Sequence, residues 1–373
     1  MKPIKVGVIG AGAVTSTIHL PILTRRSDLF EIAGLYDLNF GAVNALGERF
    51  GISPEKRFSN VKEMLSSTKL DAVLILNSGS HADLVKLALQ SELDVFCEKP
   101  LAYTKRELQE IGTALQKSGK HLMIGYMKSH DRSVQRAAKL IANEGPPRTV
   151  DVLVLHSSGD SQLATSERSI DIPNADQKLL QEFDASSRSL QIEALGPLAD
   201  QIGAFYINVL CGSLIHELSV LRTLGLEITQ IDWVERWPKT TETNSIIVMA
   251  RTADDVRISL RWLYIEDYPE YQEEVLWVGE KSSHHIRFVS PYFLRVPTTL
   301  TSITSESGDL QKTEFGSYFG SFENELEEFC EMVIASKQLG SDLSTGESDL
   351  HVMQMISKKI ASSENLAIGG DLT

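Results

Sequence analysis

The sequence predicts a two-domain α/β protein. Residues 1–124 read as a doubly wound N-terminal domain, and residues 125–373, including the C-terminal helices, as an α/β domain with a largely antiparallel open sheet. Three observations carry this. Short apolar runs alternate with helical stretches up to about residue 124, a glycine-rich turn follows the first run, and the hydrophobic period changes after about residue 147.

The early runs are Lys5–Ile9, Glu31–Tyr36, Asp71–Leu76, Asp94–Cys97 and His121–Gly125. They are apolar on successive positions, as strands buried on both faces of a parallel sheet are. Between them lie segments such as Ala42–Phe50, Ala82–Gln90 and Lys105–Lys117, whose apolar residues recur three or four apart. Strand–helix–strand alternation of this kind implies a parallel sheet with helices on both faces. Later runs alternate apolar and polar residues, most clearly Val256–Trp262, which suits a sheet with one packed and one exposed face. A helix bearing Phe322, Leu326, Phe329, Cys330, Val333 and Ile334 on one stripe follows, with Glu323, Glu327, Glu328 and Glu331 as its solvated face. Ser344 and Glu347 have the spacing of a capping box for the last helix. Residues 157–204 are polar and irregular and are expected to form a cover over the active site, a disordered insert being the alternative.

The bulk properties exclude several classes. A formal net charge of −14 over 373 residues repels phosphate backbones, so no nucleic-acid partner is expected. The start of the chain has no signal-peptide pattern, and no apolar run is expected to be long enough to span a bilayer. Cys97, Cys211 and Cys330 are widely spaced, which suggests neither a disulfide framework nor a zinc site. A reducing cytoplasm is the simplest location. Adjacent His284 and His285 in a strand would point to opposite faces, so they do not form a metal pair.

The first strand ends in Gly10-Ala-Gly12-Ala13-Val14-Thr15, and a helix begins at once. This is a GxGxxG pattern with threonine at the third glycine. Gly10 permits a tight turn and Gly12 lets the backbone approach a pyrophosphate. The helix N-terminus offers free N–H groups to the phosphates. Together these mark a Rossmann dinucleotide-binding domain. Thr15 is expected to push the helix slightly off the strand. Asp37 ends the second strand, placed to accept hydrogen bonds from ribose hydroxyls; capping of the following helix is the alternative. Leu38 and Asn39 supply no cation for a 2′-phosphate, so charge favours NAD over NADP. Lys99, in Glu98-Lys99-Pro100, follows the fourth run, where ligands of open α/β sheets bind. A lysine there can hold a substrate oxygen and, with its pKa lowered, accept the hydroxyl proton.

These residues together resemble the Gfo/Idh/MocA (glucose–fructose oxidoreductase/inositol dehydrogenase) family. Besides the glycine turn and Glu98-Lys99-Pro100, the resemblance takes in His19-Leu-Pro21, Asn77-Ser78-Gly-Ser-His81, Gly125-Tyr126-Met-Lys128, the segment Ile215–Arg222 and the segment Phe322–Phe329. It implies NAD-dependent hydride exchange with a secondary alcohol of a sugar, cyclitol or related polyol. It also implies a homodimer or homotetramer built on the exposed sheet face. Lys99 matches the catalytic lysine, also a cofactor contact, with a bond to Pro100 that is often cis, and His216 the histidine that holds and deprotonates the hydroxyl. Asn77, Ser78, His81 and Glu98 match positions around the nicotinamide half of the cofactor, and Tyr126 and Lys128 match substrate-facing ones. The family often has an aspartate four residues before the histidine; here that residue is Gly212. Glu217 or an acid of the polar stretch is a candidate replacement. Two alternatives stay open: an NAD-dependent glycosidase acting by oxidation and elimination, and a non-catalytic NAD-binding sensor. No metal is expected.

Overall fold

The computed structural model describes residues 2–67, 69–158, 176–239, 244–268, 271–293 and 296–373. The chain divides into two compact units. The first holds the described residues of 1–126, 167–190 and 325–350; the second holds those of 127–166, 191–324 and 351–373.

The first unit contains strands β1 (Ile4–Ile9), β2 (Phe30–Tyr36), β3 (Arg57–Phe58), β4 (Ala72–Ile75), β5 (Asp94–Glu98) and β6 (Leu122–Gly125). Its helices are α1 (Leu20–Arg25), α2 (Phe40–Arg49), α3 (Val61–Ser67), α4 (Ala82–Gln90) and α5 (Lys105–Ser118). The sheet order is β3-β2-β1-β4-β5-β6 and every pairing is parallel. This is the doubly wound order, with its switch point between β1 and β4. The continuous apolar runs are explained by burial on both faces: Val6, Val8, Ala72–Ile75 and Val95–Cys97 have no exposed surface. Local sequence sets the helix ends. Thr104 and Glu107 form a capping box that starts α5, and Gly119, at φ 64°, ends it.

The helix after the glycine turn is not regular. Thr15–His19 is a π-turn closed by the Leu20 N–H on the Thr15 carbonyl. Pro21 accounts for it. It has no N–H for the Thr17 carbonyl, and its ring crowds that oxygen, so the chain takes up one extra residue. Thr15, at the third glycine position, is fully buried inside this π-turn.

The second unit contains α6 (Arg132–Ile141), β7 (Thr149–His156), α8 (Ala199–Phe205), α9 (Ile215–Thr223) and strands β8 (Gln230–Trp237), β9 (Ser245–Arg251), β10 (Arg257–Tyr264), β11 (Gln272–Val278), β12 (Ser282–Phe288), β13 (Thr299–Glu306) and β14 (Asp309–Gly316). The helix α7 (Gln177–Leu195) precedes α8, and two long helices, α10 (Ser321–Ala335) and α11 (Leu343–Glu364), close the chain. The eight strands run β14-β13-β12-β11-β7-β10-β9-β8, antiparallel except for the β7–β10 pair. Val150, Val152, Val154, Ile258, Leu260 and Val275 fill the covered face, while Trp233, Trp237 and Met249 stand exposed on the other. His284 and His285 do point apart. His284 is buried between Ser302 and Glu144, and His285 meets Glu274 on the open face.

Three expectations are corrected. The stretch expected to be irregular is helical from Gln177 through α8, while residues 159–175 lie outside the described residues. Of α7 only Ala194 and Leu195 are buried, so the helix has no apolar stripe for periodicity to reveal. Asp342, not Ser344, caps α11 by accepting from the Ser344 and Thr345 amides. Contrary to the expectation of no such run, the helical stretch Gln177–Thr223 is long and apolar enough to cross a membrane by length and composition; 67% of its apolar window is buried inside the fold, as in a core helix.

Candidate functional site

Two places in the structure gather the residues singled out from the sequence, one in each unit. In the first, Gly10 lies at the C-terminal end of β1 with φ 108°, and a Cβ there would stand 2.6 Å from the Asn77 nitrogen. Only glycine fits a turn packed so closely on the neighbouring strand. Gly12, by contrast, has nothing within 4 Å of where a Cβ would be. Ala13 and Val14 open the helix, so its first amides face the same open space. Asp37 accepts from the Ala11 amide at 2.7 Å through one oxygen and from the Asn39 amide at 2.7 Å through the other. The cap of α2 is Asn39, which accepts from the Ala42 amide, so Asp37 braces the glycine turn rather than the helix. Each carboxylate oxygen keeps a lone pair for a further donor.

At the end of β4, Asn77 donates to the Ser78 carbonyl, its own Oδ1 has no partner among the described residues, and Ser78 is exposed. His81 is turned inward: its Nδ1 faces the Pro100 carbonyl at 2.6 Å and its Nε2 the Asn77 carbonyl at 2.8 Å. It ties the end of β4 to the end of β5, and burial holds its pKa below the ordinary histidine value against the pull of those carbonyls. Glu98 ends β5 and meets Nε2 of the fully buried His19 at 2.9 Å. Burial alone would raise the Glu98 carboxyl. The hydrogen bond from His19, with the charges of His19, Lys99 and His81, holds it below the usual carboxylate range. Lys99 is half-buried beside it, and the Lys99–Pro100 bond is cis. Cys97 is fully buried, and burial pushes its thiol well above the ordinary cysteine range, so it is an inert packing group.

This part of the structure fits a dinucleotide: a backbone cradle, an open approach at Gly12, an acid at the ribose position and an orphan amide oxygen at Asn77. Two residues expected to face substrate are committed elsewhere. Tyr126 has no exposed surface and donates its hydroxyl to Asp349. Lys128, in the second unit, is buried between Glu217 at 3.1 Å and Glu273 at 2.5 Å, with its ammonium 5.3 Å above the Phe288 ring. Neither offers its polar end to a ligand as it stands.

The second place is α9 and the π-helical stretch Tyr206–Leu214 before it. His216 is half-buried on the first turn of α9. A Cβ on Gly212 would come within 3.0 Å of the Ile207 carbonyl, so an aspartate there would require this backbone to shift. Glu217 supplies an acid beside His216 in sequence, but its side chain turns into the Lys128 cluster, and its Oε2 has no partner among the described residues. Tyr271 donates to the other oxygen of Glu273 at 2.6 Å. Burial raises the Glu217 carboxyl to about 7 although the Lys128 charge opposes it, while burial and the Glu273 charge push the Tyr271 hydroxyl well up. An acid whose folded pKa lies above its unfolded one stabilises the fold only while protonated. Stability from Glu217 is therefore present below about pH 4.5 and lost as the pH rises to about 7. Glu217→Gln is expected to be more stable than the parent above neutrality, by on the order of 3 kcal/mol, and equal to it at pH 4 or so. Urea unfolding of both proteins across that range measures it; parallel pH profiles would rule it out.

Sequence reasoning passed over His19, Glu273 and Glu325 as site-forming groups. His19 stood inside a noted motif without a role, and the other two looked like members of strand and helix charge patterns.

A parallel sheet with its glycine turn at the switch point defines a dinucleotide-binding fold. Residues 4–126 match the Gfo/Idh/MocA oxidoreductase family, NAD-binding Rossmann fold. This match takes in the N-terminal region of the chain. Over 140 residues it is 30% identical to inositol 2-dehydrogenase of Salmonella paratyphi B, covering 37% of this chain and 41% of that protein. It is 27% identical over 140 residues to myo-inositol 2-dehydrogenase of Thermotoga maritima, again covering 37% and 41%. The aligned part thus spans less than half the length of these curated relatives. In fold, the chain resembles myo-inositol 2-dehydrogenase from Lactobacillus plantarum with a TM-score of 0.71 at 18% identity, covering 97% of this chain and 98% of that one. It also resembles UDP-N-acetylglucosamine 3-dehydrogenase from Acidithiobacillus ferrooxidans, with a TM-score of 0.71 at 16% identity over 96% and 98% of the two chains. A 3-ketoreductase from Actinomadura kijaniata in complex with NADP shares the fold at a TM-score of 0.70 and 14% identity, covering 96% and 98%.

Proposed function

We propose that the protein is an NAD-dependent dehydrogenase that oxidises a secondary alcohol of a sugar, cyclitol or related polyol to the ketone, reversibly. The observation that carries this reading is Lys99, set beside the ionised Glu98 at the end of β5, two strands along the sheet from the glycine turn. When bound, the nicotinamide supplies the hydride acceptor. Gly10, Gly12 and the amides at Ala13 and Val14 hold the pyrophosphate, and Asp37 holds the ribose. Asn77, Ser78 and Glu98 bound the nicotinamide end, with His81 fixing the two strand ends that carry them. Lys99 in its neutral form takes the proton of the reacting hydroxyl as hydride leaves and, now a cation, holds the ketone oxygen, and His216 is the second acid–base group. The names of the inositol dehydrogenases similar to the N-terminal region support the substrate class.

Asp37 supports NAD over NADP, since a 2′-phosphate would meet a carboxylate already fixed by two backbone amides. The exposed Trp233, Trp237 and Met249 on the open sheet face support a homodimer or homotetramer, which light scattering would read out. A reducing cytoplasm suits three buried cysteines.

The test is a spectrophotometric screen of the purified protein with NAD or NADP and a panel of inositols, aldoses and sugar acids. Reduction of NAD with one substrate class, faster than of NADP, is the expected result. Firm dinucleotide binding with no turnover on any member of the panel would sink the dehydrogenase reading.

A further inference from the structure

Glu325 on α10 has no exposed surface, and neither of its carboxyl oxygens has a hydrogen-bond partner among the described residues. An ionised carboxylate in such a place has lost its water and gained no donor in return, so the neutral acid is the favoured form. Its position follows from its neighbours. Phe329, one turn further along α10, packs edge-to-face on Phe96 at 5.5 Å. Phe96 and Glu98 are two residues apart on β5 and so share a face of the sheet. The face of α10 that carries Glu325 and Phe329 is therefore turned toward the Glu98 end of β5. His19 closes the group from the first helix, 2.9 Å from Glu98 and 5.8 Å from the Phe96 ring centre.

The charged groups that act on Glu325 are Glu98 at the end of β5 and Glu328 on α10 itself, and Glu98 is in turn faced by His19, Lys99 and His81. Burial pushes Glu325 well above the usual carboxylate range, and the Glu98 and Glu328 charges push it further. Glu98 is driven the other way by His19. A buried and a half-buried carboxyl that influence each other and are driven apart hold one proton between them.

We propose that Glu325 is a positioning residue that stores the single proton of a Glu98–Glu325 carboxyl pair, so that the nicotinamide end of the cofactor meets one negative charge and not two. The proposal rests on the reading that Glu98 faces the cofactor. The nicotinamide ring is cationic when oxidised and neutral when reduced. The number of anions beneath it therefore sets the relative affinity for the two forms. A second anion at Glu325 would favour NAD⁺ over NADH.

Infrared spectroscopy of the cofactor-free protein tests the proton, and binding titrations test its consequence. At neutral pH the wild type should show the carbonyl band of a protonated carboxyl that Glu325→Gln and Glu325→Leu both lack. The second variant guards against a misfolded first, since it fills the same space without a polar group. As Glu325 ionises with rising pH, the NAD⁺-to-NADH affinity ratio of the wild type should increase by roughly tenfold or more. The Glu325→Gln ratio should stay flat. A wild type without the variant-sensitive band overturns the proton assignment, and equal pH profiles overturn the role. Neither readout needs a substrate, so a failed polyol screen leaves both results standing, and a protein that binds no dinucleotide removes the role while the infrared band still decides the proton.

Discussion

Lys99→Ala is expected to lower kcat for alcohol oxidation by about 10² to 10⁴-fold, the range that a positioned acid–base group contributes. Binding of NADH should change by no more than a few fold. The side chain lies at a strand end and is half-buried, and the strand itself is held by parallel ladders on both sides. Removing the ammonium therefore leaves the sheet intact. Lys99→Arg sharpens the test. It keeps a cation for the substrate oxygen, but a guanidinium does not give up its proton in this pH range, so the variant should bind substrate and remain slow. Initial rates from NADH absorbance, with NADH binding measured in parallel, give both quantities. Activity retained in Lys99→Ala would remove Lys99 from the chemistry and return attention to His216.

The two glycines of the turn should behave differently from each other. Gly10→Ala places a methyl group 2.6 Å from the Asn77 nitrogen and 2.8 Å from the Leu76 carbonyl carbon, at a φ of 108°. These are backbone atoms of β4 and its extension, which cannot swing aside. Strain and overlap together are expected to destabilise the protein by about 3 kcal/mol or more and to abolish dinucleotide binding. Gly12→Ala meets no protein atom within 4 Å, so its thermal unfolding should match the parent. Its methyl group would instead occupy the approach of the pyrophosphate, and NADH affinity should fall by about tenfold or more. Calorimetry and fluorescence titration of both variants separate the effects. A stable Gly10→Ala protein, or a Gly12→Ala protein with unchanged affinity, would contradict the assigned geometry.

What could be read from the chain in advance was local. Continuous apolar runs marked the buried strands, the alternation at Val256–Trp262 marked the open sheet, and the glycine turn marked the nucleotide site. Each depends on neighbours a few residues away. The groups that surround the chemistry depend on pairings that no local pattern records. His19 and Glu98 are 79 residues apart, and Lys128 and Glu273 are 145 apart. Glu325 sits among Glu323, Glu327 and Glu328 on a helix whose acids read as a solvated face, and only the packing of Phe329 on Phe96 shows that it points inward. Strand β14 escaped notice because it is exposed along its whole length and leaves no alternation to find.

The π-turn at Thr15–His19 has a consequence for how one helix serves two purposes. An added residue changes the phase of everything that follows by about 100°. The amides at Ala13 and Val14 lie before the change of phase and look out toward the open space at Gly12. His19 and Leu20 lie at its far edge, wholly buried, with His19 turned to Glu98. A regular helix of the same sequence would carry one continuous face from phosphate to strand end. Here Pro21 breaks that continuity, so the nucleotide end and the proton-holding end are aimed separately by a single covalent segment.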